Sequence, residues 1–186
     1  MRDSLFIRLV TGFPSDRDRP TELVRCPVHG FIHYSENEKE IIDHPVFQRL
    51  RNIRQLALTY YLYPGAMHSR FEHSLGVMEM ATRSFESISL KNKKLIVGEL
   101  SQIPELKRGT WERARQTLRM FALLHDVGHP AFSHAAEDVI PNGSHESVSQ
   151  YAVDKILRPK LEELFFRGIT DLIVRVVHPA RTGHGS

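Results

Sequence analysis

The stretch "TWERARQTLRMFALLHDVGHPAFSH", Thr110 to His134, carries an apolar stripe that ends in a cluster of histidines. Apolar residues recur in it at steps of three and four, as in a helix with one buried face. These residues are Trp111, Ala114, Leu118, Phe121 and Ala122. Extending this face by three residues reaches His125, so we expect His125 to point into the core. A buried imidazole needs a hydrogen-bond partner or a metal, because leaving it unsatisfied costs on the order of 1–3 kcal/mol.

Asp126 directly follows His125. This pair favours a metal over a hydrogen-bond partner as the group that satisfies the imidazole. Neighbouring side chains in a helix point about 100° apart. Val127 and Gly128 should loosen the helix at this point, so that both side chains can converge on one ion. Imidazole and carboxylate together suit Mn, Fe, Zn, Co or Ni better than a purely hard cation. The competing interpretation, a histidine satisfied within the core, is the commoner one for a lone histidine.

Further histidines and an arginine strengthen the case for a site. His129 follows His125 by four residues, and His134 and His145 come after a turn that contains proline. Upstream, in "HSRFEHSLG", Arg70 and His73 are three residues apart and therefore share a helical face. This spacing puts a phosphate-binding guanidinium beside a candidate ligand. We therefore favour a metal and phosphate site over core polarity.

Composition limits the classes of protein to consider. The 186 residues fit one domain, and 41% of them are hydrophobic. No apolar run approaches the about 20 residues of a membrane span, so we expect no membrane partner. The single cysteine, Cys26, excludes an internal disulfide and fits a reducing, cytoplasmic location. The net charge of +3 is mild and gives only weak support for nucleic-acid binding.

Hydrophobic spacing predicts a mainly α fold. We expect irregular structure over 11–27, a short strand or hairpin arm at "VHGFIHY", and connecting structure over 89–109. The predicted helices cover 43–58, 70–88, a region from Thr110 with Arg113, Arg115 and Arg119 on its outer face, 145–157 and 161–177. The last of these is also rich in Ile and Val, which favour strands.

Three segments together resemble a known family. They are "HPVFQRLRNIRQLALTYYLYPGAMHSRFEHSLGV", then "HDVGHPAFSH" and "HES". This combination is similar to the HD-domain phosphohydrolases, and more narrowly to their deoxynucleoside triphosphate triphosphohydrolase (dNTPase, dGTPase) branch. The resemblance implies an HD-domain helical bundle with a short N-terminal β-hairpin or strand. It places an irregular lead-in at 1–27 and the HD domain at 28–186, cut short at its C-terminus.

The resemblance also implies roles for individual residues. His73, His125 and Asp126 match metal ligands for a divalent ion, either a transition metal or Mg. The residues that match active-site groups around the substrate phosphates are Arg70, His129, His134 and His145. Among them, His134 matches the proton donor to the leaving group. Gln55 and Leu56 match the pair that contacts the deoxyribose. The implied reaction converts a dNTP into a deoxynucleoside and inorganic triphosphate, and the implied assembly is a homo-oligomer.

The family's fourth metal ligand, a later aspartate, has no clear match in this chain. Asp154 lies in a predicted amphipathic helix and Asp171 near a predicted helix start, where the macrodipole favours an acidic residue. We therefore give both a structural role. Two alternatives to the dNTPase follow: a phosphodiesterase or nuclease with the same metal site, and an incomplete HD module that binds a partner.

Overall fold

The computed structural model describes residues 16–132 and 144–177, and most of them are helical. The strands are β1 (Glu22–Cys26) and β2 (Gly30–Tyr34). The helices are α1 (Glu36–Ile42), α2 (Pro45–Gln48), α3 (Arg70–Leu100), α4 (Thr110–Leu124), α5 (His145–Tyr151), α6 (Arg158–Leu164) and α7 (Ile169–Val177). The predicted class, a mainly α bundle with a short N-terminal β-hairpin, is confirmed.

One hydrophobic core joins these helices. The long helices α3 and α4 pack side by side, and α7 packs against α4. Met78, Met120, Leu124, Leu157 and Ile169 are all fully buried within this core. In the described part of the chain, no helix is long and apolar enough to span a membrane.

The N-terminal hairpin corrects the expectation of an irregular lead-in. β1 pairs antiparallel with β2, in a register that sets Cys26 opposite Gly30. Gly30 has a φ of +79°, which a residue with a side chain adopts only with strain. Val24 and Cys26 pack against the core and alternate with exposed neighbours, the period of a half-buried strand. The prediction is therefore wrong over Glu22–Cys26, because the Pro and Arg around β1 obscured this alternation.

The predicted helix over 43–58 is present only as α2 and the 3-10 turn Arg49–Asn52 that follows it. The prediction is wrong for the residues after Asn52. Ile53 is extended, with φ −107° and ψ 112°. Arg54 then pairs antiparallel with Ser69, which precedes α3. Ile53 is nevertheless buried. An apolar residue at helical spacing can thus reach the core from a turn as well as from a helix.

α3 begins at the predicted residue, after a capping box formed by Ser69 and Glu72. It continues to Leu100, through the first half of the segment 89–109 for which the sequence predicts a connection. Asn92 interrupts its helical geometry, with φ −128° and ψ 20°. The lysines around Asn92 are exposed, and solvated lysines fit the outer face of a helix as well as they fit a loop.

The C-terminal helices are more broken than the sequence predicts. The helix expected over 145–157 is present as α5 and a π-helical turn, Ala152–Leu157. The single helix expected over 161–177 is divided into α6 and α7. Gly168, with a φ of +92°, lies in the break just before α7. Ile and Val in α7 do not make it a strand, because its buried face packs against α4 and α5.

Arg119 corrects the predicted outer face of α4. It is 2% exposed, and its guanidinium donates hydrogen bonds to Glu38, to Thr82 Oγ1 and to the carbonyl oxygen of His33. The Nη2 to Oε2 distance to Glu38 is 2.8 Å. Glu38 is also buried, and it caps α1 through the backbone N–H of Ser35. This ion pair therefore links α1, β2, α3 and α4 inside the bundle.

Glu38→Gln tests the stabilising effect of this pair, because glutamine can still cap α1. We expect the variant to lose about 3 kcal/mol of unfolding free energy at pH 7, since Arg119 keeps a buried charge without its partner. Burial alone would raise the pKa of Glu38, but Arg119 outweighs it and lowers that pKa. The stabilisation is therefore present above the unfolded pKa, about 4.5. It is lost as the pH falls through the lower folded value.

Urea unfolding of both proteins between pH 3 and pH 7 measures this effect. The difference in unfolding free energy should shrink as the pH falls below the unfolded value. Glu162→Gln is the matched control, because Glu162 pairs with the partly exposed Arg158 one helical turn away. An equal loss of stability in both variants, or a loss independent of pH, would contradict the role given to the buried pair.

Candidate metal centre

Two helix ends meet at the centre of the candidate site. The capping box at Ser69 starts α3 so that Arg70 and His73 lie in its first turn. α4 ends at Leu124, and the turn that follows it carries His125 and Asp126. Leu123, Leu124 and Val127 around this turn are buried, but His125, which the sequence predicts to point into the core, is 27% exposed because it follows the last residue of α4.

Asp126 lies in the middle of these side chains. Its Oδ2 is 3.7 Å from Nε2 of His73, and its Oδ1 is 3.4 Å from Nε2 of His125. One ligand atom from each of the three residues lies within 4.8 Å of the others. The side chain of Asp126 is 9% exposed, whereas His73 and His125 are 35% and 27% exposed. The histidines therefore face a solvent-accessible space, and the carboxylate lies behind it.

The tautomer of His125 suits a metal ligand. Its Nδ1 lies 2.8 Å from the carbonyl oxygen of Ala122. A carbonyl oxygen only accepts hydrogen bonds, so Nδ1 carries the proton and Nε2 presents its lone pair. The helix end thus orients the imidazole towards Asp126.

Protonation states in the cluster also suit a metal. Burial lowers the pKa of His73 and of His129, so both imidazoles are neutral at pH 7. Burial opposes ionisation of Asp126, but the hydrogen bond from His129 and the positive charge of Arg70 outweigh it. They hold the pKa of Asp126 well below its usual range. Neutral imidazole and ionised carboxylate are the forms that bind a divalent ion.

His129 and His145 form a second cluster that shares Asp126 with the first. Nε2 of His129 is 3.4 Å from Oδ1 of Asp126. The rings of His129 and His145 are stacked, with centroids 3.9 Å apart and planes 16° apart. These two histidines and Asp126 also present ligand atoms within 4.8 Å of one another. Asp126 therefore borders two groups of candidate ligands.

Arg70 lies deeper in the protein than its predicted role requires. It is 2% exposed, and its Nη1 lies 2.5 Å from Oδ2 of Asp126. The guanidinium therefore balances the charge of the central carboxylate. A guanidinium has five N–H donors, so this ion pair does not by itself prevent a contact with a phosphate.

Gln55 and Leu56 lie in the chain segment that pairs with the start of α3. The backbone N–H of Gln55 donates to the carbonyl oxygen of His68, and that of Arg70 donates to Ile53. Leu56 is 46% exposed. This pairing ties the predicted sugar-binding pair to the helix end that carries Arg70 and His73.

Asp154 and Asp171 are not part of these clusters in the described structure. His134 lies outside the described residues. Asp154 and Asp171 both accept hydrogen bonds from Arg158, at 3.0 and 2.8 Å, which is the structural role expected for them.

The sequence did not indicate two residues that support the site, Arg49 and Ser149. They hold the turn after Asp126 together with Gly128, the residue expected to loosen the helix there. Gly128 and Ser149 are buried, and Arg49 contacts backbone carbonyl oxygens of this turn. A contact through the backbone leaves no pattern in the sequence.

The cluster of His73, His125 and Asp126 fits a divalent metal ion by its donor atoms, tautomer and protonation. A helical fold that carries such a cluster, with further histidines and an arginine beside it, is typical of the metal-dependent phosphohydrolases. Residues 70–179 match the HD domain family. The chain belongs to this family.

Individual relatives are similar over part of their length. An HD domain-containing protein of Acanthamoeba polyphaga mimivirus is 32% identical over 89% of this chain and 37% of its own length. The deoxynucleoside triphosphate triphosphohydrolase SAMHD1 of Bos taurus is 40% identical over 61% of this chain and 17% of its own. Among solved structures, a hypothetical protein of Aquifex aeolicus superposes with a TM-score of 0.62. It is 30% identical, over 84% of this chain and 37% of its own. The chain thus spans well under half of each relative.

Proposed function

We propose that this chain carries the catalytic site of a dNTP triphosphohydrolase. The observation that supports it most is the group of His73, His125 and Asp126, with Arg70 and the stacked histidines beside it. The similarity to a named deoxynucleoside triphosphate triphosphohydrolase supports a dNTP as the substrate. In the proposed reaction a water oxygen joins the α-phosphorus, the bond to the 5′ oxygen breaks, and that oxygen takes up a proton.

Three residues would hold the metal: His73 and His125 through Nε2, and Asp126 through its carboxylate. When bound there, a divalent ion supplies Lewis acidity to a phosphoryl oxygen and lowers the pKa of a water ligand. The partial exposure of both imidazoles leaves the substrate side of this group open.

The remaining residues would bind and orient the triphosphate. His129 and His145 lie next to Asp126. Their imidazole N–H groups would donate hydrogen bonds to a substrate phosphate bound beside Asp126. Arg70 keeps Asp126 ionised and adds positive charge for the phosphates. Gln55 and Leu56, tied to the start of α3, would border the sugar. His134 remains the proposed proton donor by resemblance.

Product analysis tests this function. The full-length protein is incubated with each dNTP and with Mn²⁺, Fe²⁺, Co²⁺ or Mg²⁺, and the products are identified by phosphorus NMR. We expect inorganic triphosphate and deoxynucleoside, with the matching ribonucleotide turned over more slowly. Nucleoside monophosphate as the product would favour a phosphodiesterase or nuclease instead. Metal binding without any turnover would contradict catalysis and favour a partner-binding module.

A further inference from the structure

Two side chains, those of Arg49 and Ser149, hold the turn between Asp126 and His129. Arg49 donates from Nη1 to the carbonyl oxygen of His129, at 2.9 Å. Its Nη2 donates to the same oxygen and to that of Val127, both at 2.8 Å. In the same turn, the backbone N–H of Gly128 donates to Oγ of the fully buried Ser149, at 2.8 Å.

We propose that Arg49 is a positioning residue: its guanidinium fixes the turn so that His129 faces Asp126 and stacks on His145. The proposal rests on the phosphohydrolase function for its kinetic consequence, but its structural consequence is independent of activity. It assigns to Arg49 a role in the site without contact to substrate or metal.

The contacts of Arg49 support an orienting role over a charge-pairing one. In the described residues no carboxylate forms an ion pair with Arg49, and burial of its guanidinium lowers its pKa. Burial thus costs Arg49 part of its hydration free energy, and the hydrogen bonds to two carbonyl oxygens compensate for this loss. These carbonyls lie in the turn beyond the end of α4, so no hydrogen bond of that helix satisfies them. A planar fork can bind both at once, which a single ammonium group does less well.

The geometry of the site makes this turn sensitive to small shifts. Nε2 of His129 lies 3.4 Å from Oδ1 of Asp126, and its ring lies 3.9 Å from that of His145. The distance to Asp126 and the stacking on His145 both depend on the position of the His129 backbone. A misplacement of about 1 Å at a reacting group can cost on the order of a hundredfold in rate.

Steady-state kinetics of the full-length protein with Mn²⁺ and dGTP test the proposal through Arg49→Lys and Arg49→Met. We expect kcat to fall about 10- to 100-fold, as for other partners that orient site residues, while KM and Mn²⁺ affinity stay within about twofold. The methionine variant should lose more than the lysine variant. Arg83→Met is the matched control, since Arg83 binds Glu79 and the carbonyl oxygen of His29 on the surface.

Imidazole NMR of the substrate-free protein gives a second readout. We expect the signals of His129 and His145 to shift in Arg49→Met, and those of His73 and His125 to move less. Unchanged His129 and His145 signals would overturn the proposal, whether or not the wild type hydrolyses dGTP. A rise in KM at constant kcat would also overturn it, because it would mean that Arg49 binds substrate.

Discussion

Replacing Asp126 with alanine is expected to abolish divalent-metal binding and to lower phosphohydrolase turnover by at least roughly a thousandfold. Asp126 borders both groups of candidate ligands, and His73, His125 and His129 all approach its two oxygens. Its loss removes the carboxylate charge that a divalent ion needs. Turnover of dGTP and metal content of the purified variant measure the effect together.

The buried guanidinium of Arg70 complicates the alanine variant, because it would lose its partner. Asp126→Asn keeps the shape of the side chain, and His125→Ala removes a more exposed candidate ligand while it leaves the Arg70–Asp126 ion pair in place. We expect both variants to remain folded by circular dichroism and to lose turnover. His33→Ala is the matched control, since His33 lies in the hairpin strand β2. Activity above roughly one-tenth of wild type in folded His125→Ala would contradict the assignment of the centre.

Gly128→Ala should produce the second large effect. A Cβ at Gly128 would lie 2.1 Å from the backbone nitrogen of Ser149 and 2.6 Å from the carbonyl oxygen of His145. Backbone atoms cannot rotate away, so α5 must move. We expect a loss of about 1–3 kcal/mol of unfolding free energy, as for overpacking in a core. The displaced His145 should lower kcat by on the order of a hundredfold.

Two other glycines provide controls for this variant. A Cβ added at Gly98 would have no heavy atom within 4 Å, so Gly98→Ala should stabilise α3 by roughly 0.5–1 kcal/mol. At Gly76 the nearest atom is Nε2 of the His29 side chain, at 2.8 Å, which can turn aside. Thermal unfolding and kinetics separate the three variants. Wild-type stability and kcat in Gly128→Ala would contradict the close packing of α5 on the turn.

The sequence predicts His73, His125 and Asp126 as candidate metal ligands from helical spacing, from the expected helix end at Gly128 and from the family resemblance. The stripe of α4 leads to His125, and the three-residue step from Arg70 to His73 places both on the first turn of α3. The capping residues that start α3 are also local, so the prediction of its first residue is confirmed. The predicted length of α3 is wrong, because lysine-rich segments suit exposed helices and loops equally.

Contacts between distant residues could not be predicted in this way. The sequence predicts Arg119 on the outer face of α4 because its spacing matches that of the other charged residues of this helix. Its burial becomes favourable only because Glu38 approaches it from α1. Arg70 is expected beside a phosphate, and its ion pair with Asp126 depends on how α3 and α4 pack. Arg49 acts on backbone carbonyl oxygens, which every residue has, so no residue pattern indicates its role.

Metal titration by calorimetry tests the central claim most directly. Metal-free full-length protein is titrated with Mn²⁺, in the wild type and in His73→Ala, which removes the candidate ligand contributed by α3. We predict saturable binding by the wild type and at least a tenfold weaker affinity in the folded variant, by about 1.4 kcal/mol or more. Equal affinity in the two proteins, or no binding by the wild type, would contradict a metal centre formed by His73, His125 and Asp126.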